Sequence, residues 1–313
     1  MVAMLASVAI SDPRIDAQTP ASVGDDPRAS GDRSPNPDDD SGGGAEDAAS
    51  PAREGLFRLT WRPPVEGALA TDRPGFADTT VVLPPGYLQL ELGYTYTYDS
   101  ESDIHARDHA LSQLNLRFGL LDNLEIRTLW SGYSMSEVEF TAESPRTGRR
   151  YRTADHDDGA SDMVLGLRTQ LLKNDGLVPD LTFLGNLAIP VGGDSKSAGA
   201  VVPDVRLAYG WLLTERLRLY GVGIAAAPVS DGERFFQAAG SAGLSYAWTD
   251  RLSSFVEYYG ICPARRESDC AHTADGGFAF LINDNMQIDF SAGVGLNEEA
   301  PDYLVGIGVA FRW

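Results

Sequence analysis

Four histidines, two cysteines, one acidic run and one glycine-rich stretch are where residue type and spacing in this 313-residue chain could support chemistry. His105 and His109 stand four apart, the separation that puts two imidazoles on one helical face for zinc. Ile104-His-Ala-Arg-Asp-His109 lacks the glutamate of a zinc hydrolase helix, however. These two, with His156 and His272, are expected to be solvated histidines of loops. Asp155-His-Asp-Asp-Gly-Ala-Ser-Asp162 has the carboxylate density of a calcium loop but no bidentate Glu at the twelfth position. A solvated acidic loop is expected there, with weak divalent-cation binding as the alternative. Gly221-Val-Gly-Ile-Ala-Ala226 matches a phosphate-cradling pattern that works only where a helix follows. Pro228 and a Ser230-Asp231-Gly232 turn come instead, so these glycines are read as thinning a crowded strand. No G-x-S-x-G elbow occurs, and no Ser, His and acid suggest a triad. Hence no catalytic residue, metal or cofactor is expected, and the chain is not read as an enzyme. Cys262 and Cys270, inside one expected long loop, are read as a local disulfide in a non-cytoplasmic compartment.

The elements that must carry these residues are strands. Leu88, Leu90, Leu92, Tyr94, Tyr96 and Tyr98 alternate with Gln89, Glu91, Gly93, Thr95 and Thr97, a period of two with one apolar and one wet face. The same alternation recurs at 114–120, 124–130, 163–171, 180–189, 203–213, 216–226, 235–248, 251–260, 274–282, 285–296 and 302–313. That makes twelve strands. Their connections alternate in length. Short links fall near 121–123, 173–179, 214–215, 249–250 and 283–284. Residues 99–109, 134–160, 190–202, 227–234, 261–273 and 297–301 form links that are longer on the whole and rich in charge, Pro and Gly. Hairpins with tight turns at one end and long loops at the other make an up-and-down barrel.

Charged residues within the strands are Glu91, Arg117, Glu125, Arg127, Arg168, Asp204, Arg206, Arg218, Glu257, Asp289 and Arg312, each on the parity opposite its strand's large apolar side chains. In a membrane barrel they would line the lumen; in a soluble sandwich they would face water, and parity fits both. Aromatic placement favours the membrane. Tyr94, Tyr96 and Tyr98 on the first strand, and Tyr303, Phe311 and Trp313 on the last, resemble interfacial girdles. No run of 18 apolar residues suggests a membrane helix. The formal charge of −20 would repel a phosphate backbone, so no nucleic-acid partner is expected.

Residues 1–55 stand apart, with eleven Asp and Glu against four Arg and almost no large side chains after the first ten positions. They are read as a disordered acidic spacer behind Met1–Ile10, itself either the remnant of a signal peptide or an ordinary frayed terminus. Residues 56–85 are read as a periplasmic entry segment, and 86–313 as the barrel.

Several stretches match a family in order. They are Thr71-Asp-Arg-Pro-Gly-Phe-Ala-Asp78, Pro85-Gly-Tyr-Leu-Gln-Leu-Glu-Leu-Gly-Tyr94, Leu187-Ala-Ile-Pro-Val-Gly-Gly-Asp194, Phe255-Val-Glu-Tyr-Tyr-Gly260 and the run from Asp284 to Trp313. Together they resemble the outer-membrane β-barrel family labelled "putative meta-pathway of phenol degradation", over about residues 70–313. Val191 stands where that family usually has Thr. The resemblance implies a bacterial outer-membrane location and a barrel often called a transporter, with no established substrate and no catalytic residues to carry over.

The expectation is therefore an all-β, single up-and-down antiparallel transmembrane barrel of about twelve strands. Its partners would be membrane lipid, a small-molecule solute, and the assembly machinery that reads a terminal strand such as Tyr303–Trp313. The function expected is a channel or transporter for small polar or amphipathic solutes. The alternatives are a plugged structural barrel, or a soluble secreted β-protein binding a carbohydrate or hydrophobic ligand.

Overall fold

A computed structural model describes residues 67–143, 150–230, 232–265 and 268–313. The expected leader and acidic spacer over 1–55 lie outside the described residues. Sixteen strands follow in chain order: β1 (Leu88–Glu101), β2 (Ile104–Leu121), β3 (Leu124–Trp130), β4 (Tyr133–Glu143), β5 (Arg150–Ala160), β6 (Met163–Leu172), β7 (Asp180–Ile189), β8 (Val202–Leu212), β9 (Leu217–Ala226), β10 (Val229–Ser230), β11 (Glu233–Arg234), β12 (Gln237–Ala247), β13 (Leu252–Pro263), β14 (Ala271–Asn283), β15 (Met286–Gly295) and β16 (Tyr303–Arg312). No helix occurs among the described residues.

Twelve of them close a barrel: β1 to β3, β6 to β9 and β12 to β16, each antiparallel to its neighbours. Closure comes from β1, which pairs with β2 along one side and with β16 along the other. Leu88 and Trp313 seal that seam with reciprocal backbone bonds of 2.9 Å. A closed cylinder leaves no unpaired edge in the wall, the condition for a sheet to stand in hydrocarbon.

Outside and inside are reversed relative to a soluble protein. Leu165, Leu167, Val205, Val256, Phe290 and Ile307 are exposed on the outer wall, Ile307 at 58%, while Arg117, Glu125 and Arg168 are fully buried. Period-two alternation left two readings of the charged face. Closure of the sheet decides between them, because the charged face is the concave one. The aromatic residues also fall on the outer face, with Tyr98 opposite Tyr303 (ring centroids 5.2 Å) toward one end and Phe311 beside Leu90 toward the other.

The expected long loops 99–109 and 134–160 are a correction: both are largely strand. β1 runs to Glu101 and β2 starts at Ile104, while β4 and β5 form a hairpin that pairs along 133–143 and 150–160. β4 and β5 continue β3 and β6 beyond breaks at 131–132 and 161–162, and β4 takes the place of β3 beside β2. At the first break Gly132 has φ +96°, and a Cβ there would lie 1.9 Å from the carbonyl oxygen of Leu111, so glycine is required. Polar and apolar residues mix on both faces of this hairpin, with Tyr133 and Met135 on one face of β4 and Val138 and Phe140 on the other, so no apolar alternation revealed it. Its ladder is reinforced by Tyr133 bonded to Asp158, Ser136 to Asp108, and Arg152 to Glu139.

The histidines move with this correction, since all four stand on strands rather than in loops. His109 Nδ1 is hydrogen-bonded with Tyr94 Oη (2.8 Å), His105 Nδ1 with Tyr98 Oη (3.1 Å) and His272 Nδ1 with Tyr258 Oη (2.7 Å). His156 lies 3.9 Å from Glu137. The acidic run 155–162 is likewise mostly β5, where successive carboxylates point to opposite faces instead of converging. Residues 221–226 are the end of β9, with no helix after them.

Candidate functional site: the charged lumen and its internal segment

Residues 67–87 form no strand, and they enter the barrel. Phe76, Ala77, Val82 and Leu83 are buried there, as are Asp72 and Asp78. The entry segment expected at 56–85 is thus, in its described part, the filling of the lumen. A chain crossing a polar cavity must satisfy its own amides and carbonyls, and the wall supplies the partners.

Ten of the eleven charged strand residues contact this segment, and they divide by side. On the wall made by β2, β3, β6 and β8, guanidinium groups converge on two carboxylates. Asp72 accepts from Arg168 Nη2 (2.6 and 2.7 Å), Arg127 Nη1 (3.3 Å) and Asn115 Nδ2 (2.9 Å). Asp78 accepts from Arg127 Nη1 (2.7 Å) and Arg206 Nη1 (3.0 Å). Arg117 holds Glu125 through Nε and Nη2 (2.8 and 2.9 Å) and also donates to the carbonyls of Ala70 (3.0 Å) and Val81 (2.7 Å). Glu125 in turn accepts from the Leu83 amide (2.8 Å), and Glu91 from the Asp72 amide (3.1 Å). Asp204 reaches the segment only through Arg206, whose Nε it accepts at 2.7 Å; Asn186 Nδ2 donates to the same carboxylate.

The opposite wall, β13 to β15, presents carboxylates and an aromatic ring. Glu257 accepts from the amides of Phe76 (2.7 Å) and Ala77 (3.1 Å). The Phe76 ring stacks on Tyr259 with centroids 4.3 Å apart and planes within 7°, amid Leu184, Ala208, Val222, Ile224 and Ile261. Arg73 points to this side, its Nε 3.3 Å from Asp289. It has room because Gly93 and Gly308 lie beneath it: a Cβ on either would come within 2.2 Å of the guanidinium. Arg218 donates to Thr80 Oγ1 (2.7 Å) and Asp180 (2.8 Å), and Arg312 to the Gly67 carbonyl (2.9 Å).

The wall residues were readable from parity; their principal partners were not. Asp72, Arg73 and Asp78 belong to no alternating stretch, and neither do the amides that Glu257 and Glu125 bind. Arg127 and Arg206 pair with Asp72, Asp78 and the neighbouring Asp204, while Arg168 divides itself between Asp72 and Glu125, 3.3 Å from its Nη1. The available signal was the density of Thr, Asp, Arg and Pro in 71–78, directly before the first strand.

At the rim, Cys262 and Cys270 are joined by a disulfide between the end of β13 and the start of β14. Asn297 braces it, donating to the Cys270 carbonyl (2.6 Å) and accepting from the His272 amide (2.8 Å).

A family model described as "Putative MetA-pathway of phenol degradation" matches residues 71–313, so the match takes in the lumenal segment as well as the wall. None of the curated proteins matches the chain in sequence. Among solved structures, an outer membrane channel from Pseudomonas putida F1 is similar at a TM-score of 0.54 and 15% identity, covering 77% of this chain and 99% of that one. At that identity it shows the fold, a barrel of the outer-membrane type. The NanC porin matches more loosely, at a TM-score of 0.43 and 10% identity over 72% of this chain and 98% of its own, and adds nothing to the fold assignment.

Proposed function

The chain belongs to the family described as "Putative MetA-pathway of phenol degradation", and on that premise we propose that it is a bacterial outer-membrane channel or transporter for small polar or amphipathic solutes. The observation that carries the reading is a closed twelve-stranded wall, apolar outside, whose charged lumen is filled by a separate segment at the start of the described chain and not by wall side chains alone. A filling that is held by hydrogen bonds and ion pairs, and is not part of the wall, can shift without opening the barrel. With periplasmic termini, as is usual for a barrel with an even number of strands, the short turns also lie in the periplasm on this reading, and the Cys262–Cys270 rim and the β4–β5 hairpin lie outside. Trp313, paired with Leu88 at the seam, ends the strand offered to the assembly machinery. Nothing in this reading calls for catalysis.

The number of contacts on the segment favours a second reading, a sealed structural barrel. One experiment separates the two. The full chain is refolded in detergent, its fold verified by an electrophoretic shift between boiled and unboiled samples, and then placed in liposomes for swelling assays beside Asp72→Asn/Asp78→Asn. Solute entry that rises in the variant supports passage through the lumen. No entry through either folded protein leaves the sealed barrel.

A further inference from the structure

Taken without the segment, the basic wall is unbalanced. Arg117, Arg127, Arg168 and Arg206 face only Glu91, Glu125 and Asp204, four positive groups against three negative. Asp72 and Asp78 supply two further carboxylates, and even so two donors at the centre remain unused. Arg127 Nη2 and Arg168 Nε, on side chains with no solvent exposure, have no acceptor among the described residues. Buried guanidinium donors are costly to leave unmade, so this wall has a standing capacity for a carboxylate. An apolar place adjoins it. Two residues before Asp78, the Phe76 ring lies flat on Tyr259 against Leu184 and Ile224. One short stretch therefore offers a carboxylate to Arg206 and Arg127 and a phenyl ring to an aromatic wall.

We propose that residues 72–78 occupy, with their own carboxylates and ring, a lumenal binding site for small amphipathic organic carboxylates. The segment is then an internal occupant that such a solute displaces by exchange, one carboxylate for another on the same guanidinium groups. No net charge has to be buried in the exchange, which is what makes it feasible in a lumen of restricted water. A cation would meet four guanidiniums, and a neutral molecule would leave them unpaired.

The inference rests on the lumen being a solute path, but it is tested by binding and not by flux. With the wild-type full chain folded in detergent, amide hydrogen exchange at Phe76 and Ala77 is followed with phenylacetate and with its neutral isostere phenylacetamide. Protection is expected to fall as phenylacetate displaces the segment, and to stay unchanged with the amide. Equilibrium dialysis of phenylacetate against Asp72→Asn/Asp78→Asn is expected to show binding about tenfold tighter than to wild type, since the competing charge-assisted bonds are weakened. Unchanged protection with phenylacetate, or an equal fall with phenylacetamide, overturns the proposal. So does a folded variant that binds phenylacetate no more tightly than wild type. Segment release without any solute entry into liposomes would remove only the transport reading. Entry without release would remove only this inference.

Discussion

The two walls of the lumen hold the same segment by different physics. β2, β3, β6 and β8 hold backbone groups of the segment too, but add side-chain charge, guanidinium to Asp72 and Asp78, whereas β13 grips it through two backbone amides on Glu257 and one ring on Tyr259. A backbone amide is present whatever the residue, so the second wall reads where the segment lies. The first reads which residues it carries, and it is the one another anion can contest.

That contrast can be broken in order of expected effect. Arg168→Ala leaves Asp72 without its closest partner and should weaken docking of the segment by about 3 to 5 kcal/mol, the range for breaking a buried pair from one side. Exchange at Thr79, whose amide donates to Asp72 Oδ1, should accelerate; unchanged exchange would mean that charge does not hold this side. Glu257→Gln keeps one neutral acceptor for two amides and should cost about 1 to 2 kcal/mol. There the sharpening result is faster exchange at Phe76 and Ala77 with Leu83, bound to Glu125 across the lumen, left as it was. Phe76→Leu removes the stack while keeping an apolar side chain, at about 1 kcal/mol, and should leave the Thr79 amide unmoved. Last is Arg73→Gln: its pair with the buried Asp289 is 3.3 Å long, and the Gln amide keeps a neutral donor in place of the guanidinium, so a loss of about 1 kcal/mol is expected, read as faster exchange at the neighbouring segment amides.

Much of the wall was legible because a strand has a local code. From Leu88 to Tyr98, and again from Tyr303 to Trp313, each residue's parity decides its face, and the turns between strands carry their own residue signals. The β4–β5 hairpin escaped because neither of its faces is consistently apolar, so its sequence shows charge without alternation. His105 and His109 were assigned to a loop for the same reason. Within the lumen, the positions of Arg117, Arg127, Arg168 and Arg206 were readable and their partners were not.

By itself the sequence determined twelve spans and the parity on which each charge stands, because both follow from neighbours one or two positions apart. Only the tertiary structure decided that the charged face is the inside, that residues 67–87 run within it, and that Asp72 and Asp78 complete an arginine cluster drawn from four different strands. Closure and threading join residues as far apart as Gly67 and Arg312, 245 positions, and no local pattern records which of them will meet.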